Sequence, residues 1–491
     1  MSIGNTDELA FASASRQAAL MREKRLSSVE LVTAYLERIE RLDGRLRAFI
    51  TVCGESALVD AKRAESEAAK GQWRGPLHGI PFAVKDQLDT AGILTTSGSA
   101  LLRSHVPTED STVMARLIQA GGILIGKLNL TEFALGGTLR FPYGQPRNPW
   151  NDEHDPGGSS SGSGIAAAAA LCSITLGEDT GGSVRSPASY CGAVGLRPTW
   201  GRVSRHGCFP AAWSMDQVGP LTRTVEDAAL VLGLIAGYDE RDPTTSRSAV
   251  PDYRAALNAG VKQLRIGVLT ELVDGADTHP EVRGAVREAA RALAGLGAHV
   301  EDISLPLIPH AGGVFMALCD SEAAGRHQSW LTTRPGEYDA GTRRRLVAAG
   351  LIPATAVHRA ARARALIREQ ILAALGRLDL LLAPTSPHPA PPSRATLRPS
   401  RARKRRGGDS SVVAPTPRPR ASPVCPRSRF RADSPRSGCP SDSSSSADPS
   451  RNPPCSAPLG RGRRQPPSLT GDPHFRRRRR DRSARPIVRD R

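Results

Sequence analysis

Leu31, Tyr35 and Leu42, flanked by Val32, Leu36 and Ile39, lay an apolar stripe at helical period. Ser27-Ser28-Val29-Glu30 stands just ahead of it and reads as a capping box, its side chains satisfying the free N–H groups of a helix start. The run His78-Gly-Ile-Pro-Phe-Ala-Val84 has no alternation and predicts a strand buried on both faces, ending near Lys85. Ser111 to Ala120 predicts a helix stopped by Gly121-Gly122, and Ile123 to Leu128 a strand. Thr224-Val-Glu-Asp227 caps a further helix ending at Gly237, with Val225, Ala228, Ala229, Leu232 and Ile235 expected to face inward. Leu264 to Leu269 and His299 to Leu305 read as strands around a helix over Glu281 to Leu296; a long Ala/Arg-rich helix over 355–375 leads to a last strand, Leu378 to Ala383. Strands alternating with helices in this way predict an α/β fold, a sheet covered by helices on both faces. No internal repeat is present.

Near residue 395 the pattern stops. Residues 401–491 contain no Glu, Met, Trp or Tyr and are dense in Arg, Pro and Ser, too poor in apolar periodicity to offset the entropy of ordering. The expected organisation is one large domain over 1–395 and a low-complexity tail over 396–491. Of the formal net charge of +19, the 24 basic and 7 acidic residues of 401–491 carry +17, leaving +2 for the first 400 residues. The body is therefore near neutral, and the basic balance does not mark it as a nucleic-acid binder. The tail reads either as a disordered basic segment that touches nucleic acid or, the reading favoured here, as translation out of frame, since a GC-rich coding region read out of frame yields this Arg/Pro/Ser/Ala mixture.

The N-terminus lacks the basic and apolar regions of a secretory signal, and no run of about 18 apolar residues offers a membrane span. Cys53, Cys172, Cys191, Cys208 and Cys319 show no C-x-x-C spacing, so reduced, buried thiols in a cytoplasmic protein are expected, with no zinc site.

Three segments carry candidate chemistry. Pro156-Gly-Gly-Ser159-Ser-Ser-Gly-Ser-Gly164 runs directly into Ile-Ala-Ala-Ala-Ala-Ala170, which suits a tight loop feeding a closely packed helix better than a linker. It has neither the Lys-Ser/Thr close of a Walker A loop nor the G-x-S-x-G of a nucleophile elbow. In Gly177-Glu-Asp-Thr-Gly-Gly-Ser183-Val-Arg-Ser-Pro187, consecutive glycines allow the N–H groups of Thr180 to Ser183 to form a nest for a developing oxyanion. Ser183 then stands where an acyl nucleophile would; the plainer alternative is a surface turn. Asp-Thr-Gly occurs once and in an α/β pattern, which sets aside an aspartic protease. In Phe82-Ala-Val-Lys85-Asp-Gln, Lys85 is either a solvated strand end or, if buried, an amine whose ammonium desolvation destabilises, fit to act as a general base.

Together these segments resemble the amidase signature family. Ser183 follows Ser159 by 24 residues, the family's spacing, and His78-Gly-Ile-Pro-Phe-Ala-Val-Lys-Asp86 matches its lysine strand. Gly126-Lys-Leu-Asn-Leu-Thr-Glu-Phe133, Arg147-Asn-Pro-Trp150 and Gly195-Leu-Arg-Pro-Thr-Trp-Gly-Arg-Val-Ser204 are similar to further family segments, and the likeness spans about residues 5–395. The resemblance implies a single large domain with a mixed central sheet, and an amidase that hydrolyses a small-molecule carboxylic amide without metal or cofactor. It implies Ser183 as the nucleophile, Ser159, on a cis peptide, as the proton relay, and Lys85 as the base. Thr180, Gly181, Gly182 and Ser183 would supply the oxyanion hole, with Asp179 as a buried support. Ser186 departs from the Gln usual in tRNA-dependent amidotransferase subunits and tilts the reading towards a free-standing amidase over the glutaminase subunit of such a complex. The family's closing segment is not recognisable after about residue 395, so an inactive, frameshifted relative stays open, and self-association is undetermined.

Overall fold

The computed structural model describes residues 6–393; the tail expected over 396–491 lies outside the described residues. Helices α1 (Thr6–Phe11), α2 (Ala14–Arg22) and α3 (Ser28–Leu46) open the chain, followed by β1 (Phe49–Val52), α4 (Gly54–Ala69) and β2 (Pro81–Lys85). Next come α5 (Thr112–Gln119), β3 (Ile123–Leu128), α6 (Ser161–Ala168), β4 (Ile174–Glu178), α7 (Arg185–Cys191), β5 (Val194–Gly195), β6 (Val218–Thr222) and α8 (Val225–Ile235). The remainder comprises β7 (Arg265–Leu269), α9 (Thr270–Val273), α10 (Pro280–Gly295), β8 (His299–Ile303), α11 (Ala311–Thr333), α12 (Ala340–Ala349), α13 (Ala354–Leu375) and β9 (Leu380–Leu382).

The α/β expectation holds, with a mixed six-stranded sheet in the order β1-β3-β2-β4-β6-β5. β2 runs parallel to both neighbours, β3 and β4, while β1–β3, β4–β6 and β5–β6 pair antiparallel. Every residue of β2, β4 and β6 is buried, which explains apolar runs without alternation. The last three strands do not join this sheet. They form a separate parallel sheet in the order β8-β7-β9.

Local signals act as the pattern predicts at several helix starts. Ser27 and Glu30 form the complete capping box of α3, and Leu31, Val32, Tyr35 and Ile39 are buried along its stripe. Thr224 accepts a hydrogen bond from Asp227 N at the start of α8. Val225, expected inside, is 58% exposed instead. The buried place in that first turn goes to Asp227, whose carboxylate accepts the N–H groups of Ala14 (3.0 Å) and Ser15 (3.1 Å), two orphan donors at the start of α2. Among the cysteines, Cys172, Cys191 and Cys319 are buried, but Cys53 and Cys208 only partly; all five are free thiols. Cys53 caps α4 just beyond the edge strand β1, where the core no longer covers it.

The Gly/Ser run is helical sooner than its composition suggests, α6 beginning at Ser161. α6 lies against β2, β3, β4 and β6. Its small residues permit that approach: a Cβ on Gly162 would stand 2.2 Å from Ala48 O and 2.5 Å from Asn129 N. Among the described residues, no helix is long and apolar enough to cross a membrane.

Candidate active site

Lys85 and Glu178 are the last residues of β2 and β4, neighbouring parallel strands whose register pairs Val84 with Leu176. Both side chains therefore emerge at the carboxyl end of the sheet, where open α/β folds place their ligands. Both are fully buried. Lys85 Nζ donates to Ser159 Oγ (2.8 Å), Glu178 Oε2 (3.2 Å) and Glu178 O (3.3 Å). Three acceptors match the three N–H bonds of an ammonium, so the nitrogen is completely satisfied without water. Lys85 is thus not a solvated strand end.

Ser159 follows a cis peptide bond after Gly158 and stands two residues ahead of α6. Its carbonyl accepts from Thr131 N (3.2 Å), and the next residue, Ser160, donates its N–H to Ser183 O (3.2 Å), tying the two serine loops together. Ser159 and Ser183 line the same cleft, a volume of about 460 Å³ that also receives Thr180, Gly181, Ser186 and Tyr190. Leu135, Leu139, Phe141, Phe315 and Met316 give it apolar walls. Ser183 Oγ carries no hydrogen bond among the described residues.

Asp179 organises the loop that carries Ser183. Its buried carboxylate accepts the N–H groups of Gly182 (2.7 Å), Val184 (3.1 Å) and Arg185 (3.4 Å), the Arg185 guanidinium (3.0 Å at two nitrogens) and Arg197 Nη1 (3.1 Å). This revises the expected oxyanion set. Gly182 N–H is already committed to Asp179, and the residue's contribution is its φ of +124°, a conformation that side chains rarely adopt. Thr180, Gly181 and Ser183 keep N–H groups without a hydrogen bond among the described residues.

Burial pushes the Asp179 carboxyl up, but the Arg185 and Arg197 guanidinium groups and the Gly182 N–H outweigh it and hold it at about 2, below the ordinary 3.8. A carboxyl so depressed contributes stability that is fully present above pH ~4 and is lost as pH falls through ~2, on the order of 2 kcal/mol. Asp179→Asn should therefore lower the unfolding free energy by about 2 kcal/mol at neutral pH. Urea titrations should show the gap to the parent narrowing towards pH ~2; a gap independent of pH would contradict this origin.

Two participants were not assigned from the sequence. Glu178 stands inside the Gly177-Glu-Asp-Thr motif, and the signal available was a second charged residue ending an apolar strand. Asp216, just before β6, reaches the same cluster. Thr180 Oγ1 lies 2.7 Å from Glu178 Oε1 and 2.8 Å from Asp216 Oδ1. Burial, then the neighbouring Glu178 charge, pushes the Asp216 carboxyl up to about 8, against the opposing N–H groups of Ala212 and Ala211 and the Thr180 hydroxyl.

Comparison with known proteins agrees with this architecture. The amidase family profile matches residues 30–406. A glutamyl-tRNA(Gln) amidotransferase subunit from Moorella thermoacetica is 40% identical over 404 residues, covering 77% of this chain and 83% of that protein. Among solved structures, the native peptide amidase of Stenotrophomonas maltophilia superposes with a TM-score of 0.68 at 34% identity, over 78% of this chain and 86% of that one. A chain from a vestigial protein complex tied to the evolutionary origins of an s-triazine catabolic enzyme gives a TM-score of 0.74 at 34% identity, over 78% and 83% of the two chains. With its sheet, its glycine-rich serine loops and its lysine strand in this order, the chain belongs to the amidase family, enzymes that hydrolyse carbon–nitrogen bonds.

Proposed function

We propose that the chain hydrolyses a small-molecule carboxylic amide through an acyl-enzyme on Ser183. The observation that carries this reading is the fully buried Lys85 Nζ, 2.8 Å from Ser159 Oγ, on a cleft that Ser159 and Ser183 share. A serine hydroxyl is a weak nucleophile and needs an adjacent base. In the proposed acylation, neutral Lys85 takes the Ser159 proton as Ser159 takes that of Ser183, and Ser183 Oγ bonds the amide carbon. The tetrahedral oxyanion is met by the N–H groups of Thr180, Gly181 and Ser183. Collapse breaks the C–N bond, and the proton held by Lys85 returns through Ser159 to the leaving amine. Water then repeats the sequence to release the acid. The 2.8 Å contact of Lys85 Nζ with Ser159 Oγ supports the first of these transfers.

The test is to mix the protein with p-nitrophenyl acetate and weigh its peptides. An acetyl group on the peptide that carries Ser183 is the expected result; acetylation elsewhere only, or none, would refute the assignment. The five free thiols among the described residues support a reducing, cytoplasmic setting.

A second reading, a glutaminase that works with partner proteins, is favoured by the 40% identity to the amidotransferase relative. Ser186, on the cleft wall, weighs towards the free-standing enzyme. Ammonia released from glutamine only after partner proteins are added would select the second reading. Amide hydrolysis by the chain alone selects the first.

A further inference from the structure

The Thr180 hydroxyl has one hydrogen and two carboxyl neighbours. It stands 2.7 Å from Glu178 Oε1 and 2.8 Å from Asp216 Oδ1, with Glu178 and Asp216 buried to 0% and 2% exposure. It can donate to only one of those oxygens. Were both carboxyls ionised, the other contact would press lone pair against lone pair between two buried carboxylates. One carboxyl must therefore carry a proton and donate it to Thr180 Oγ1. One carboxylate in the pair also suffices to balance the Lys85 ammonium that the proposed proton transfer forms 3.2 Å from Glu178 Oε2. The elevation of the Asp216 carboxyl to about 8 assigns the proton to Asp216 at neutral pH.

Resting on the reading of Lys85 as the base, we propose that Glu178, Thr180 and Asp216 form a positioning relay that holds one shared proton and so fixes the single negative charge facing Lys85. In the resting arrangement Asp216 O–H donates to Thr180, Thr180 O–H donates to Glu178 Oε1, and Glu178 Oε2 faces Lys85 Nζ at 3.2 Å. When acylation delivers the Ser183 proton to Lys85 by way of Ser159, the ammonium forms against that carboxylate. The shared proton stays within the relay throughout, and atoms balance without another donor.

The other titratable groups facing the cluster are the Cys208 thiol and the Cys319 thiol of α11, both held above the ordinary thiol range by burial. Beyond them lies the Asp179 carboxylate with its two guanidinium partners, Arg185 and Arg197, the latter also donating to Met215 O (2.6 Å). Among the described residues, Lys85 is the cation that pairs directly with Glu178.

Glu178→Gln removes the carboxylate 3.2 Å from Lys85 Nζ. For p-nitrophenyl acetate, the acid limb of kcat/KM should move down by about one pH unit or more. Asp216→Asn should leave that limb in place and remove the inflection expected near pH 8, where Asp216 ionises. A merely structural role would lower the rate at every pH and move neither limb. If Glu178→Gln leaves the limb unmoved while Lys85→Met abolishes acylation, the relay is wrong and the base assignment stands. If Lys85→Met acylates at the parental rate, the base assignment itself fails.

Infrared difference spectra of the parent protein between about pH 6 and about pH 10 provide a readout that needs no active variant. A neutral-carboxyl C=O band lost at high pH, and missing from Asp216→Asn, is expected. A parent without that band holds no shared proton, and the relay is overturned.

Discussion

Replacing Ser183 by Ala lowers kcat/KM by roughly four to six orders of magnitude, the scale at which the loss of a serine nucleophile is felt in other acyl-transfer enzymes. No other oxygen in the motif can substitute. Ser159 Oγ is engaged with Lys85 Nζ at 2.8 Å, and Ser186, although on the cleft, lies one residue inside α7. The variant keeps the backbone N–H groups of Thr180, Gly181 and position 183, so some catalysis above the uncatalysed rate persists. Stability should change little. The partly buried Ser183 side chain makes no hydrogen bond among the described residues, and Ala fits its place. Full-length variant and parent compared by steady-state hydrolysis and by acetyl labelling decide the matter: parental turnover in Ser183→Ala would eliminate the acyl-enzyme mechanism.

Lys85→Met has the second largest effect and reports on two properties at once. Activity is expected to fall by several orders of magnitude, and the double variant with Ser183→Ala to be scarcely worse than either single one, since the proposed nucleophile and base would act as a unit. The stability effect differs from that of Ser183→Ala. Met fills the volume of the lysine stem but leaves the Glu178 carboxylate buried without its partner 3.2 Å away. Breaking a buried pair in this way costs about 3–5 kcal/mol. Adding Glu178→Gln removes the stranded charge, so the double variant Lys85→Met, Glu178→Gln should regain part of the stability and none of the activity. Urea midpoints read the first property and acylation rates the second. Equal stability of Lys85→Met and the parent would show that the ion pair adds nothing, and equal activity would remove Lys85 from the mechanism.

The proposed relay and the proposed oxyanion loop meet at Thr180. Its side chain joins Glu178 to Asp216, and the residue lines the cleft beside Gly181 and Ser183. Charge placement behind Lys85 and geometry in front of Ser183 are therefore held by one residue.

Features written in short stretches of chain were legible before folding was considered. The capping box at Ser27 and Glu30, the Thr224 cap, the uninterrupted apolar run into Lys85 and the glycines around Ser183 each depend on neighbours within a few residues, where backbone geometry and hydrogen-bond reach are local. The strands β7, β8 and β9 were legible as strands for the same reason. Their gathering into a sheet of their own was not, because periodicity says which residues are extended and nothing about which strand lies beside which. Asp227 shows the same limit: read as a capping residue of α8, it also terminates α2 from more than two hundred residues away.

The sequence by itself determined the α/β class, the strand that delivers Lys85 and the loops that carry Ser159 and Ser183. Only the tertiary structure decided that Lys85 is fully buried, that Gly182 N–H is spent on Asp179, and that Glu178 and Asp216 stand behind the lysine. The physical reason is that burial and charge pairing are properties of what surrounds a side chain. Lys85 and Glu178 are 93 residues apart along the chain and become neighbours only when β2 and β4 pair in parallel.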